Sequence, residues 1–461
     1  MAMAKNYTFR KLINDIHLWV GIPTTIVLFI VCLTGTIYVF QREITQWVDS
    51  DKFFVKTDGK DQALPLAGLI RNIEREKKDS KVTNIQISDI KNEAWTFTVT
   101  PNDIIEKRKA EEAEEKKNKM AEGKPGNKEK SDKKAGEKGK GNDKKAAQKD
   151  RDRIKRYLVN PYTGVIQGES QTPTSKFFST VLKLHRWLLM EDNRDTGKAI
   201  IGTSSILMIL LELTGLILWL PAKVKSWNKW NLWKGGFKIK TDGNWRRMNF
   251  DLHKSLGFYT FIFVTIMAVT GPYFSFKWYR EGFSNALREK KEKESKPLQS
   301  QYLANSNALS LDDILAKAKN VYPYPSLTRI SVPTDSLEAI SIQKAKTGFF
   351  PDAGTDRVTF DQYSGKVLKL ERFSDKKTGD KIVSLVFGLH TGEIFGTFSK
   401  ILYVMACLIA TSLPVTGFLI WWGRIRKGKK TARQQTSKPA AIPAGYVSHK
   451  AKQPLMNKVQ V

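Results

Sequence analysis

Apolar residues along the 461-residue chain are blocked rather than dispersed. Four uncharged or nearly uncharged runs, 18–40, 199–221, 255–276 and 401–422, stand in a Lys-rich background. Each is long enough to cross ~30 Å of hydrocarbon at about 1.5 Å per residue. One such run fits a buried helix of a soluble domain; four in one chain predict a membrane α-helical protein with four transmembrane helices. Between the runs the period changes. Residues 64–77 have helical spacing through Leu66, Leu69, Ile70 and Ile73, and 82–87 and 94–99 alternate as strands. Two short strands then flank the turn Asn160-Pro161-Tyr162-Thr163-Gly164. The same order returns over 309–319, 328–332, 339–343 and 358–368, closing on Asp361-Gln362-Tyr363-Ser364-Gly365. This internal repeat predicts a duplicated two-helix unit carrying two small α+β domains, 41–198 and 277–400. Neither domain offers a nucleophile paired with a base, or a phosphate-binding loop.

Composition refines this picture in three places. Residues 106–153 hold 18 Lys/Arg and 12 Asp/Glu and almost no apolar side chain. Such a stretch cannot bury enough surface to offset its ordering entropy, so 103–153 is expected to be a disordered insertion, partly helical around 106–120. The whole chain carries 77 Lys/Arg against 46 Asp/Glu, a formal +31. Much of that excess sits in the N-terminal segment 1–17, the link 222–254 and the tail 423–461. Short basic segments stay in the cytoplasm, which puts both termini and the link inside and the two long loops outside. Topology thus accounts for the basic patches, and nucleic acid is not an expected partner. Of the two cysteines, Cys32 and Cys407, each lies in an apolar run, so no cysteine zinc or iron–sulfur centre can be built. No small-residue cleavage site follows the first run, so it reads as an uncleaved anchor.

Histidine is scarce and ordered. Of five, His449 falls in the tail, while His17, His185, His253 and His390 each stand just ahead of an apolar run. Each is followed by a Thr-Gly near the far end of that run, at His-to-Thr spacings of 17, 29, 17 and 26. Topology sorts them into an inner pair, His17 with His253, and an outer pair, His185 with His390. His185 and His390 lie on apolar stripes of short helices, 175–190 and 381–396, that turn them toward the protein. A lone histidine at a membrane boundary reads most simply as an interfacial residue bonded to a headgroup or carbonyl. Four in repeat register favour a shared role, and two imidazoles facing one another in an apolar bundle suit haem with two axial histidines. One haem per pair is expected, with the repeated glycines allowing close helix approach. Zinc or copper is the poorer alternative, because no Cys, Asp or Glu accompanies either pair. Arg186 and Arg247 are candidate propionate contacts, although the membrane boundary explains them equally well. Glu212 is the one carboxylate within a run, and a functional candidate for that reason. Trp19 and Trp187 read as interface anchors.

His17-Leu18-Trp19-Val20-Gly21 with Leu33-Thr34-Gly35, and His185-Arg186-Trp187 with Leu213-Thr214-Gly215, resemble the signature of the PepSY-associated transmembrane proteins. The two outer turns resemble those of PepSY domains. The resemblance covers roughly 8–100, 154–290 and 305–428 and leaves out the Lys-rich insertion. It implies similarity to inner-membrane di-haem siderophore reductases of the ferrioxamine-reductase kind. Such a protein passes electrons from a cytoplasmic or quinol donor through two haem b groups to a ferric siderophore in the periplasm. On that resemblance His17 and His253 ligate the inner haem, and His185 and His390 the outer one. The chain has no Gly-x-Gly-x-x-Gly after a strand, so the donor is expected to be separate. The rival expectation is a non-catalytic PepSY membrane protein that binds a periplasmic partner or regulates a peptidase.

Overall fold

The computed structural model describes residues 8–121, 148–288 and 298–436, apart from 61, 223, 224, 226, 302–306, 350, 352 and 353. Spans one to four are the helices Phe9–Tyr38, Arg194–Trp219, Trp245–Ser275 and Gly396–Thr436. All four are long and apolar enough to cross a membrane. Spans one and three each pack against both spans two and four. The helices begin earlier than their apolar runs. The Thr8 hydroxyl accepts from the Lys11 N–H and the Asn244 side chain from the Arg247 N–H, at 3.4 and 3.0 Å, starting spans one and three. Hydropathy marks the stretch that suits hydrocarbon, whereas the cap marks where helical geometry starts. His17 and His253 therefore lie within spans one and three, not ahead of them. His185 and His390 sit on separate short helices, Pro173–Trp187 and Thr378–Thr391, each stopped by a residue in the left-handed region, Leu188 and Gly392.

The segment between spans two and three is folded onto the bundle rather than a loose link. Its helix Trp230–Phe237 is held where the Gly236 carbonyl accepts from the Trp219 indole at 3.1 Å and from the Ser255 hydroxyl at 2.8 Å. Trp219 stacks on Phe258 with centroids 3.8 Å apart.

Outside the bundle the expectation of two separate small domains is corrected. Eight strands form one antiparallel sheet in the order β4-β3-β2-β1-β5-β6-β7-β8. These are β1 (Ser80–Ile87), β2 (Trp95–Pro101), β3 (Lys155–Val159), β4 (Ile166–Glu169), β5 (Ser326–Ser331), β6 (Ile340–Lys346), β7 (Thr355–Phe360) and β8 (Val367–Glu371). Each half would expose an unpaired edge at β1 or β5; pairing them, with Ile85 opposite Ile330, removes both edges. Helices Leu66–Glu76 and Leu311–Val321 cover one face and share one core with it. Leu66, Leu69, Ile73, Ile314 and Ala318 pack there with Ile85, Phe97, Ile330, Ile342 and Val358, all nearly or fully buried. The Asp312 carboxylate crosses the seam to accept from the Leu66 N–H at 3.0–3.1 Å. Asn160 and Asp361 make the two matching turns. Each side-chain oxygen accepts from the N–H groups two and three residues on, and Gly164 and Gly365 follow at φ +76° and +65°.

The start of the Lys-rich insertion is helical, over a slightly longer stretch than the expected 106–120. Asn102–Ala121 is helical, in keeping with its Ala, Glu, Lys and Arg content, and Asp103 pairs with Arg153 across its base. Residues 122–147 and His449 lie outside the described residues.

Candidate functional site: two imidazole pairs

The fold brings the four histidines together as two pairs at opposite ends of the bundle. At the end toward the segment joining spans two and three (the link side), the His17 and His253 rings have centroids 6.3 Å apart and planes at 80°. At the sheet side, the His185 and His390 rings are 6.2 Å apart at 63°. Span one alone sets the separation of the two levels. It carries His17 in the link-side pair and Thr34 beside the sheet-side one, which a helix rise of ~1.5 Å per residue places about 25 Å apart.

Each imidazole is held by a Thr-Gly of a spanning helix other than its own. His17 Nδ1 meets Thr214 Oγ1 at 2.9 Å, and His253 Nδ1 meets Thr416 Oγ1 at 2.9 Å. His185 Nδ1 meets Thr34 Oγ1 at 3.1 Å, and His390 Nδ1 meets Thr270 Oγ1 at 2.9 Å. The threonines decide which ring nitrogen bears the proton. A hydroxyl has one proton to give, and these donate it to the carbonyls of Leu210, Ser412, Ile30 and Ile266, at 2.8, 3.1, 2.6 and 2.7 Å. Toward the histidine each can only accept, so Nδ1 carries the hydrogen and Nε2 keeps its lone pair. The Val31 carbonyl, 3.0 Å from His185 Nδ1, demands the same tautomer. A metal-ligating imidazole is oriented by such a bond from its other nitrogen.

The glycine beside each threonine makes room for the ring. A Cβ at Gly417, Gly215 or Gly35 would stand 3.2, 3.4 or 3.4 Å from the Cε1 of His253, His17 or His185. At Gly271 the nearer neighbour is the Ser205 hydroxyl, 2.8 Å from such a Cβ. The sequence showed the Thr-Gly dipeptides and suggested a role for their glycines. It gave no sign that each threonine serves a histidine of a different helix, 120 to 197 residues away.

The donor set and its spacing fit one metal within each pair. Metal–imidazole bonds of about 2.0–2.1 Å, plus about 1.1 Å from ring nitrogen to centroid, put two axial imidazoles about 6.2–6.4 Å apart. Both pairs have that separation. Among the described residues no third His, Cys, Asp or Glu joins either pair. Two protein donors suit a metal whose other ligands arrive in a macrocycle. A largely apolar cavity of about 240 Å3 opens between the spans at the link-side pair, lined by His17, His253, Gly21, Gly215, Gly257 and Gly417. Glu212 faces this cavity, as do Lys254 and Arg424. Arg247 does not line it; its guanidinium pairs with the buried Asp251 carboxylate at 2.9 Å. Arg186 lies over the Trp187 ring, 5.3 Å from its centroid. At the link side Lys254 and Arg424 are basic residues of the cavity lining, and the Lys254 ammonium donates to the Gly235 carbonyl at 3.0 Å.

A family model described as the PepSY-associated TM region matches residues 15–424. The chain belongs to that family. The match takes in the four paired histidines and the four Thr-Gly dipeptides that hold them, and ends before the basic tail. Four apolar spans and this membership make it a multi-pass membrane protein. No curated protein matches the chain.

Proposed function

We propose that this member of the family is a transmembrane electron conduit that holds two haem b groups and reduces a ferric siderophore. The observation that carries the reading is the pair of imidazole couples, each with its tautomer fixed and its rings spaced for one metal. His17 and His253 would hold the inner group, and His185 and His390 the outer one. Haem held by two histidines would supply a one-electron carrier and would favour electron transfer over oxygen binding. The protein's part is to orient and to insulate. Thr214, Thr416, Thr34 and Thr270 engage Nδ1 and leave Nε2 free to bind a metal. The apolar spans exclude water, while Lys254 and Arg424 can offset acidic substituents at the inner level. The excess of Lys and Arg in the termini and link supports a cytoplasmic link side in a bacterial inner membrane, with the sheet in the periplasm. The electron donor is then a cytoplasmic reductant or a quinol. The accepted electron converts Fe(III) to Fe(II), which hard oxygen donors hold less well, so iron is released for uptake.

Haem content of the detergent-purified full chain tests this. Two haems per chain, with low-spin b-type bands on dithionite reduction, are expected. Colourless protein after haem-replete expression would overturn the conduit and favour a non-catalytic PepSY protein that binds a periplasmic partner.

A further inference from the structure

The sheet has a second face, opposite the two covering helices, and its side chains form an ordered row. Strand alternation turns Ile85, Ile330, Ile342 and Val358 into the core, and so turns Gln86, Arg329, Gln343 and Arg357 the other way. Register places those four directly opposite one another across β1, β5, β6 and β7. Arg329 Nε donates to Gln86 Oε1 at 3.2 Å, and with its amide oxygen toward β7 Gln343 accepts from Arg357 Nε at 3.1 Å. Both arginines are exposed. An adjacent row adds Thr98, Asn84 and Ser331. The carboxylate in the arginine row is Glu371 at its rim, opposite Arg357.

The same face receives the segment that leaves span one. Thr96 continues the row from Gln86, and Leu158 continues it from Thr96. Leu158 is buried in a cluster with Val55 and Phe53, which lie on the segment leaving span one. Whatever rests on the arginine row is therefore held on the side from which span one arrives. Both helices that carry the sheet-side histidines also leave this sheet, directly after β4 and β8.

We infer that this row is the binding surface for the ferric chelate, and that it selects anionic chelates whose iron is held by carboxylate or catecholate oxygens. The inference rests on the proposed reductase reading. Planar guanidinium forks match oxyanions, and amide and hydroxyl donors match the remaining ligand oxygens. A cationic chelate meets two exposed like charges there, which works against it.

Gallium(III), a redox-inert stand-in for Fe(III), separates binding from reduction. Calorimetric titration of the full chain in detergent would compare gallium(III) citrate with the gallium(III) complex of desferrioxamine B, whose pendant amine makes it cationic. The citrate complex is expected to bind at least about tenfold more tightly, and to weaken as salt screens the arginines. Arg329→Gln and Arg357→Gln should each weaken it about tenfold with unchanged melting temperature and Soret band; Arg329→Lys should fall between. Equal or tighter binding of the cationic complex would overturn the inference, as would unaltered citrate binding by the folded glutamine variants. Colourless protein would sink the conduit reading instead, and the citrate titration would still judge the row.

Discussion

At the link side both imidazoles ride on spanning helices and are clamped by spanning helices, so the pair is internal to the bundle. At the sheet side the imidazoles sit on two short helices, and only the clamping threonines belong to spans. Three residues separate β4 from the first of those helices, and six separate β8 from the second. The chemistry of the two sites is the same and the mounting differs. On the proposed conduit reading, a rigid mount suits the site that takes electrons from a changing donor and must keep one geometry. A mount hung from the sheet lets events on the sheet reach the histidines without crossing the bundle. The link-side clamp also faces a cavity with Glu212, Lys254 and Arg424, whereas His390 packs against the Phe274 ring, 5.3 Å between centroids.

Removing one of the four histidines should have the greatest consequence. His185→Ala and His390→Ala should each abolish the same one of two haems, and His17→Ala and His253→Ala the other. About half of the Soret absorbance is expected to remain in every single variant. Loss of both haems from any one of them, in protein that still elutes as a folded species, would show the sites to be one cooperative unit.

Less severe is removal of a clamp. Thr214→Val and Thr416→Val keep the side-chain shape but leave the Nδ1–H of a link-side histidine without its hydroxyl acceptor. Loss of such an orienting bond typically costs 10–100-fold in metal-site affinity. Haem retention during dilution should therefore fall at the link side only, and Thr34→Val and Thr270→Val should act at the sheet side only. A redox titration should show one of two potentials moving in each case. If both move together, the threonines act on bundle packing rather than on their own histidines. Gly417→Ala should be milder, because a methyl group 3.2 Å from His253 Cε1 displaces the ring by only a few tenths of an ångström. A broadened α band from the link-side haem, with the other unchanged, is the expected signature.

These clamps mark where sequence reasoning stops. The spans were legible because hydrocarbon demands about 20 apolar residues in succession, and that demand is local. The grouping of His17 with His253 and of His185 with His390 was legible because alternating topology assigns each histidine an end of the bundle, and the structure brings those rings together. The threonines were visible as a spacing only. Their partners are set by how four helices rotate against one another, which no single helix encodes. Joining of the two outer halves was hidden for a similar reason. Ile85 opposite Ile330 is an edge-to-edge pairing between strands more than 200 residues apart, and each strand alone reads as an ordinary half-buried one. Arg247 illustrates the reverse error. Its place beside the link-side end made it a candidate for the haem, but Asp251, one helical turn on, holds its guanidinium.

The smallest effect compares the two halves of the sheet through their matching turns. Asn160 and Asp361 make the same bonds to the N–H groups two and three residues on, but only Asp361 can titrate. Burial alone would raise the Asp361 carboxyl, yet hydrogen bonds from Ser364, Gln301 and Tyr363 outweigh it and hold its pKa below the usual carboxylate value. A carboxyl depressed on folding contributes stability that is present above its unfolded pKa and lost as pH falls through its folded one. The second half of the sheet should therefore soften below about pH 4 while the Asn160 turn is indifferent. Asp361→Asn keeps the turn acceptor and removes the titration, so its melting temperature should vary less than that of the wild type between pH 6 and pH 3. Identical pH profiles would mean that the Asp361 bonds persist with the protonated acid, and that the two turns differ in name alone.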